Sequence, residues 1–282
     1  MLKLGQYNYL QISHETAHGI YLNSDSEYGQ ILLPNRYKPR GFSPDDWIEV
    51  FVYLDSEDRP IATTLKPKVQ VGQFASLKVI DTNRYGAFLD WGLEKDLMVP
   101  YQEQIKKLRL DQYYMVYVYL DKNTKRITAT TKIDKYLKPL NQGHFKEGQT
   151  VNIQIWRKTE IGYSMIIENS HLGMVYSNEI FQKLRYGQKL KAFIKTIRDD
   201  DKIDVRLNKT ADKHYQELPD IILAYLKEHD GICTITDKSP PEEIYDTFAV
   251  SKGNFKKAVG NLYKLRKISL EKGMIRLMPD KS

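Results

Sequence analysis

The 282-residue sequence holds a single cysteine, Cys233. One thiol excludes an internal disulfide, and with it every small fold stapled by cystines; it also leaves no cysteine-rich metal site. No apolar run approaches the ~18 residues that span a bilayer, so no membrane segment is expected. The opening stretch MLKLGQYNYLQIS lacks an apolar core followed by small residues, so no signal peptide is expected and a cytoplasmic location is the default. Histidines are few and scattered (His14, His18, His144, His171, His214, His229) and share no ligand spacing. No glycine-rich loop followed by Lys-Ser or Lys-Thr is present. Metal-dependent nucleases need clustered carboxylates, and metal-free ones need paired histidines or a histidine with a lysine. The one acidic run, Asp199-Asp200-Asp201, fans apart in a turn and reads as a solvated loop. These absences point away from an enzyme, and no cofactor or metal is expected.

What is present is a repeat. Gly5-Gln6, Gly72-Gln73 and Gly148-Gln149 recur at offsets of 67 and 76 residues. Gly19, Gly86 and Gly162 follow at the same two offsets, and Leu33-Pro34, Val99-Pro100 and Val175-Tyr176 hold the register to within a residue. Copies one and two end alike, YLDSEDRPIATTLK from Tyr53 and YLDKNTKRITATTK from Tyr119. A period this long reads as tandem domains rather than a solenoid. Each copy shows short stretches of alternating polarity separated by polar turns, the pattern of a five-stranded barrel of the oligonucleotide-binding (OB) type.

Charge is uneven. Residues 1–66 carry 6 basic and 9 acidic side chains, net −3, whereas 67–140 carry 13 and 8, net +5. Residues 141–211 are net +4 and 212–282 net +1. A polyanion gains most from the middle of the chain, and copy one reads as a structural or docking unit. In copy two, Tyr85 and Phe88 flank Gly86, with Lys78 and Arg84 close by. Aromatic faces stack on unpaired bases, cations hold phosphates, and glycine permits close approach. At the corresponding positions copy one has His18 and Tyr21. Copy three has Ile161 and Ser164, with Tyr163 and Tyr176 nearby and Trp156, Arg157 and Lys158 one strand earlier.

From Asp212 the pattern changes. Tyr215, Leu218, Ile222, Tyr225 and Leu226 recur at helical spacing, and Gly231 ends the helix. Ser239-Pro-Pro-Glu-Glu243 starts a second, short helix. Ser251 caps a third, with Phe255, Val259 and Leu262 on one face and Lys256, Lys257, Asn261 and Lys264 on the other. Lys267 to Glu271 and Met274 to Met278 meet at Lys272-Gly273 as a hairpin. Three helices and a hairpin make a winged helix-turn-helix.

The fold class expected is therefore mainly β with a C-terminal α+β domain: three tandem OB barrels (1–66, 67–140, 141–211) followed by a winged helix (212–282). On VGQFASLKVI, RYGAFLDWG, DLMVP and VYLDKNTKRITATTK, copy two resembles the S1 RNA-binding domain. That resemblance implies an RNA face lined by Tyr85, Phe88, Asp121 and Arg126. Pro100 stands where the family carries a histidine, and the adjacent Tyr101 is the candidate substitute. Taken whole, the three S1-like copies with DKSPPEEIYDTF and SKGNFKKAVGNLYK resemble the bacterial conserved virulence factor B family. The resemblance implies an RNA-binding protein that influences expression of other genes and needs no cofactor. Single-stranded RNA is the expected partner. The alternatives are a DNA-binding regulator acting on duplex nucleic acid through the winged helix, and a protein-interaction scaffold.

Overall fold

The structure is a computed structural model that describes residues 2–180, 183–207, 211–248 and 250–279. In the first barrel, β1 (Gln6–Thr16), β2 (Gly19–Leu22), β3 (Ile31–Pro34), β4 (Trp47–Leu54) and β5 (Pro60–Thr63) close in the order β1-β2-β3-β5-β4. The first strand serves two neighbours. Gln6 to Gln11 pair with β4, and after a register shift between Ile12 and His14 the strand turns to pair with β2. The β3–β5 pairing is parallel and closes the barrel.

Copies two and three repeat this plan. β6 (Phe74–Thr82), β7 (Gly86–Asp90), β8 (Leu97–Pro100), β9 (Tyr113–Leu120) and β10 (Ile127–Thr130) form a sheet in the order β10-β9-β6-β7-β8. β11 (Thr150–Lys158), β12 (Gly162–Ile167), β13 (His171–Tyr176), β14 (Lys189–Ile197) and β15 (Ile203–Arg206) close a barrel in the order of the first. The long first strand shifts register in each, between Val79 and Asp81 and between Ile155 and Arg157.

The repeated glycines have structural causes. Gly5, Gly72 and Gly148 stand at φ of 72°, 88° and 79°, where L-side chains are strained. Their amides donate to the carbonyls of Val52, Val118 and Ile194 at 2.7, 2.8 and 2.8 Å. At Gly19, Gly86 and Gly162 the constraint is contact. A Cβ there would lie 2.1, 2.3 and 2.0 Å from the carbonyl oxygens of Leu33, Val99 and Val175 on the next strand. Gly86, read above as an opening for a ligand, is buried, and its missing side chain makes room for β8.

The chain divides into two compact units, Met1–Leu137 and Lys138–Ser282. In the first, barrels 1 and 2 share a core. Val50 to Leu54 are all buried, so β4 is covered on both faces. Val50 and Val52 point into barrel 1, while Phe51 and Tyr53 pack with Val69, Ala75, Leu89 and Trp91 of barrel 2. The Trp91 ring meets Phe51 and Tyr53 edge-on at 5.8 and 6.4 Å, and burial pushes the Tyr53 phenol up to about 12. Backbone bonds continue the junction: the Val71 amide donates to the Gly5 carbonyl at 2.8 Å, and the Tyr7 amide to Gln70 Oε1 at 3.3 Å.

In the second unit the stretch Lys138 to Gly143 is bonded onto barrel 3. The Lys138 amide donates to Ser170, and the Leu172 amide to Lys138, both at 2.9 Å. Asn141 is buried and bonds the Phe145 backbone through both side-chain ends. The remainder forms α1 (Ala211–Glu228), β16 (Ile232–Cys233), α2 (Pro241–Phe248), α3 (Lys252–Lys264), β17 (Ile268–Glu271) and β18 (Met274–Leu277). Its sheet runs β16-β18-β17. Leu218, Ile222 and Leu226 of α1 meet Ile244, Phe248, Phe255, Val259, Leu262 and Ile275 in a separate core. The side chain of Tyr215, expected on the same stripe, lies outside those described. Ser251 caps α3 by accepting from the Asn254 amide at 3.0 Å.

Candidate nucleic-acid interface

Tyr85 lies in the turn between β6 and β7 and is 56% exposed. Asn83 holds it there. Its Oδ1 accepts from the Tyr85 amide at 2.8 Å, while its carbonyl accepts from the Tyr101 hydroxyl at 2.6 Å. Arg84 folds over the ring, its guanidinium carbon 4.8 Å from the centroid and one of its nitrogens donating to the Tyr85 hydroxyl at 2.6 Å. Tyr85, Arg84 and Tyr101 are thus assembled at one end of barrel 2 as an exposed aromatic pair with a cation.

Phe88 sits apart from that group. Ala87 and Leu89 point into the core, and Phe88 faces outward beside its cross-strand neighbour Met98. It is half-buried because a cleft of about 460 Å³ forms over it. Phe88, Trp91, Lys95, Asp96, Met98, Arg126 and Thr128 of barrel 2 line one side, and Tyr53, Leu54, Ser56 and Asp58 of barrel 1 the other. The Trp91 indole donates to the Lys95 carbonyl at 2.6 Å, which fixes the loop carrying Lys95. Burial, with Asp90 and Asp81 nearby, pushes the Asp96 carboxyl above its ordinary range.

The cations expected to hold phosphate on barrel 2 already have partners. Lys78 Nζ lies 2.7 Å from Asp111, which holds its ammonium above the usual range. Arg126 pairs with Asp58 of barrel 1, not with Asp121. Asp58 also accepts from Lys95 at 3.1 Å, and these bonds, Arg126's foremost, hold its carboxyl low. Asp121 organises a turn: it accepts from the amides of Asn123 and Thr124 at 3.0 and 2.7 Å and from the Thr124 hydroxyl at 2.9 Å. Asp55, its counterpart in copy one, accepts from the amides of Glu57 and Arg59 in the same way. A signal for that role was therefore present in the repeat. Asp58, Lys95 and Met98 carried no such signal, because their place depends on how two copies pack.

In barrel 3 the two tyrosines part. Tyr163 pairs with buried Val175 and packs against the core, whereas Tyr176 pairs with Gly162 on the other face, half-buried. Ile161 is exposed, Ser164 is buried, and Trp156 is buried beneath the Arg157 guanidinium at 4.2 Å. On α3, Lys256, Lys257, Asn261 and Lys264 are all exposed. None of the three lysines is in an ion pair among the described residues.

Small barrels of this strand order, an exposed aromatic cluster with cations and a winged helix together define a nucleic-acid-binding protein. The family model for the S1 domain matches residues 4–65 and again 71–132, and that for the CvfB-like winged helix domain matches residues 220–277. The C-terminal region thus matches the winged helix domain of the conserved virulence factor B proteins, and most of the chain is similar to them. Conserved virulence factor B of Staphylococcus aureus (strain USA300) is 27% identical over 246 residues, 83% of this chain and 82% of the relative. The Staphylococcus epidermidis protein (strain ATCC 12228) is 26% identical over 234 residues, 80% of this chain and 78% of the relative. A crystal structure of a multidomain protein with nucleic acid binding domains from Streptococcus pneumoniae aligns over 98% of each chain, at 24% identity and a TM-score of 0.43. No described helix is long and apolar enough to cross a membrane.

Proposed function

We propose that this protein binds single-stranded RNA, without catalysing a reaction on it and without a cofactor, and regulates gene expression from the cytoplasm. The reading treats 1–66, 67–140, 141–211 and 212–282 as four domains with barrel 2 as the principal RNA face. The observation that carries it is the exposed Tyr85–Arg84–Tyr101 cluster on an S1 domain, held by Asn83, with the outward-facing Phe88 on β7 as a separate surface. Tyr85 and Phe88 stack bases, each contributing roughly 1–3 kcal/mol; Arg84, Lys78 and Arg126 hold phosphates. Asp121 shapes the turn that presents Arg126, and Tyr176 supplies a secondary contact on barrel 3, Tyr163 being turned towards the core. A part in controlling other genes is what the resemblance to the conserved virulence factor B family implies.

A second reading has its own observation, the exposed Lys256, Lys257 and Lys264 beside Asn261 on α3, none of them in an ion pair among the described residues. A helix in this position suits a duplex groove. Titrating the intact protein with single-stranded RNA and with duplex DNA of equal length, at two salt concentrations, separates the two. The RNA reading expects tighter binding to the single strand, with log K falling by roughly 0.7 per phosphate contact per decade of salt. Tighter binding to the duplex would favour α3. Salt-independent or absent binding to both would leave a protein-interaction scaffold.

A further inference from the structure

Barrel 1 carries the wrong net charge for a polyanion, yet one of its turns reaches the face of barrel 2. The turn between β4 and β5 is firmly built: Asp55 accepts from the Arg59 side chain at 2.9 Å as well as from two amides of its own turn. Asp58 stands at φ 61°, a conformation that Asp and Asn adopt more readily than other non-glycine residues. Its carboxylate meets Lys95 through one oxygen at 3.1 Å and Arg126 Nε through the other at 2.9 Å. Two cations converging on one two-oxygen anion is also how a phosphate is held. The end of β4 and this turn supply Leu54, Ser56 and Asp58 to the wall of the cleft above Phe88, whose volume lies in the range of small-ligand sites.

We propose that the β4–β5 turn of barrel 1 is the second wall of the RNA site on barrel 2, and that Asp58 occupies the position of an RNA phosphate until RNA displaces it. The proposal rests on reading barrel 2 as the RNA face. The exchange is isoelectric at the two cations, since one anion leaves Lys95 and Arg126 as another arrives. Asp58 gains water when released. Its side chain is only 34% exposed in the pair, against 61% for Arg126, so release restores hydration chiefly to the carboxylate. The consequence is selectivity. A phosphate alone gains little by evicting Asp58, whereas a strand that also lays an unstacked base on Phe88 adds the stacking energy. Duplex phosphates, whose bases are already stacked, are refused.

A purely structural ion pair tying the barrels together would make loss of either partner equivalent for RNA. The displacement mechanism gives the two losses opposite signs. Full-length wild type, Asp58→Asn, Arg126→Met and the Tyr85→Ala/Phe88→Ala double variant are compared for binding a labelled oligouridylate and a duplex of equal length. Thermal unfolding establishes that each is folded, and asparagine keeps the αL turn. Asp58→Asn is expected to tighten single-strand binding roughly three- to tenfold and to narrow the preference over duplex, while Arg126→Met weakens binding. Unchanged or weaker binding by Asp58→Asn, with the aromatic double variant still impaired, overturns the displacement and leaves the RNA face on barrel 2. Full affinity in the aromatic double variant overturns both.

Discussion

A methyl group at residue 86 would collide with a backbone, not with a ligand. Because Val99 O lies 2.3 Å from the place a Cβ would take, and a carbonyl in a ladder cannot turn aside, Gly86→Ala must push β7 from β8. We expect a loss of about 1–3 kcal/mol by urea denaturation; an unchanged midpoint would mean that the strand separation is soft. A second residue gives barrel 3 a pH dependence. His171 is buried, its Nδ1 lies 2.8 Å from the Ser170 hydroxyl, and its Nε2 has no hydrogen-bond partner among the described residues. Burial, with His144 and Lys138 facing it, lowers its pKa from 6.5 to about 4. The unfolded chain therefore takes up a proton that the folded barrel refuses. Stability is full above the unfolded value and falls as pH drops from about 6.5 towards 4, by at most about 3 kcal/mol. Urea unfolding followed by fluorescence of Trp156, with the other two tryptophans replaced by phenylalanine, should show this loss. His171→Phe should flatten it.

Among the elements, β4 contributes to both cores of the first unit. Its run Val50 to Leu54 breaks the alternation of a half-exposed strand, and an unbroken apolar run is the mark of a strand covered on both faces. Phe51→Ala should therefore cost about 3–5 kcal/mol, and barrels 1 and 2 should lose it together. Coincident urea transitions of single-tryptophan variants retaining Trp47 or Trp91 would bear this out; a barrel 2 transition left in place would contradict a shared core. The same strand shows what was legible in advance. The Gly-Gln turns and the glycines at 19, 86 and 162 answer to backbone geometry inside one copy, so each repeats and each could be read. So could the helical stripe of α3 and its Ser251 cap, which are local. The Asp58 contacts to Lys95 and Arg126 answer to packing between copies. Nothing repeats there: Pro60 stands in copy one where copy two has Arg126. For the same reason the resemblance placed Arg126 on the RNA face without its ion-pair partner, which the fold supplies from 68 residues away. Tyr163 and Tyr176 are near each other in copy three, but strand alternation sends them to opposite faces.

At the scale of the molecule, charge and surface divide the labour. The acidic barrel 1 shares its core with barrel 2 and walls the cleft, barrel 2 presents the aromatic cluster, and α3 carries exposed lysines in the other unit. On the proposed reading, base stacking on barrel 2 supplies the affinity for RNA. Its most direct test is the affinity of the intact protein for single-stranded RNA beside that of Tyr85→Ala/Phe88→Ala, with the fold of the variant verified. Stacking predicts a loss of about 2 kcal/mol or more, near thirtyfold in Kd. Unchanged affinity would contradict it and move the search to barrel 3 and α3.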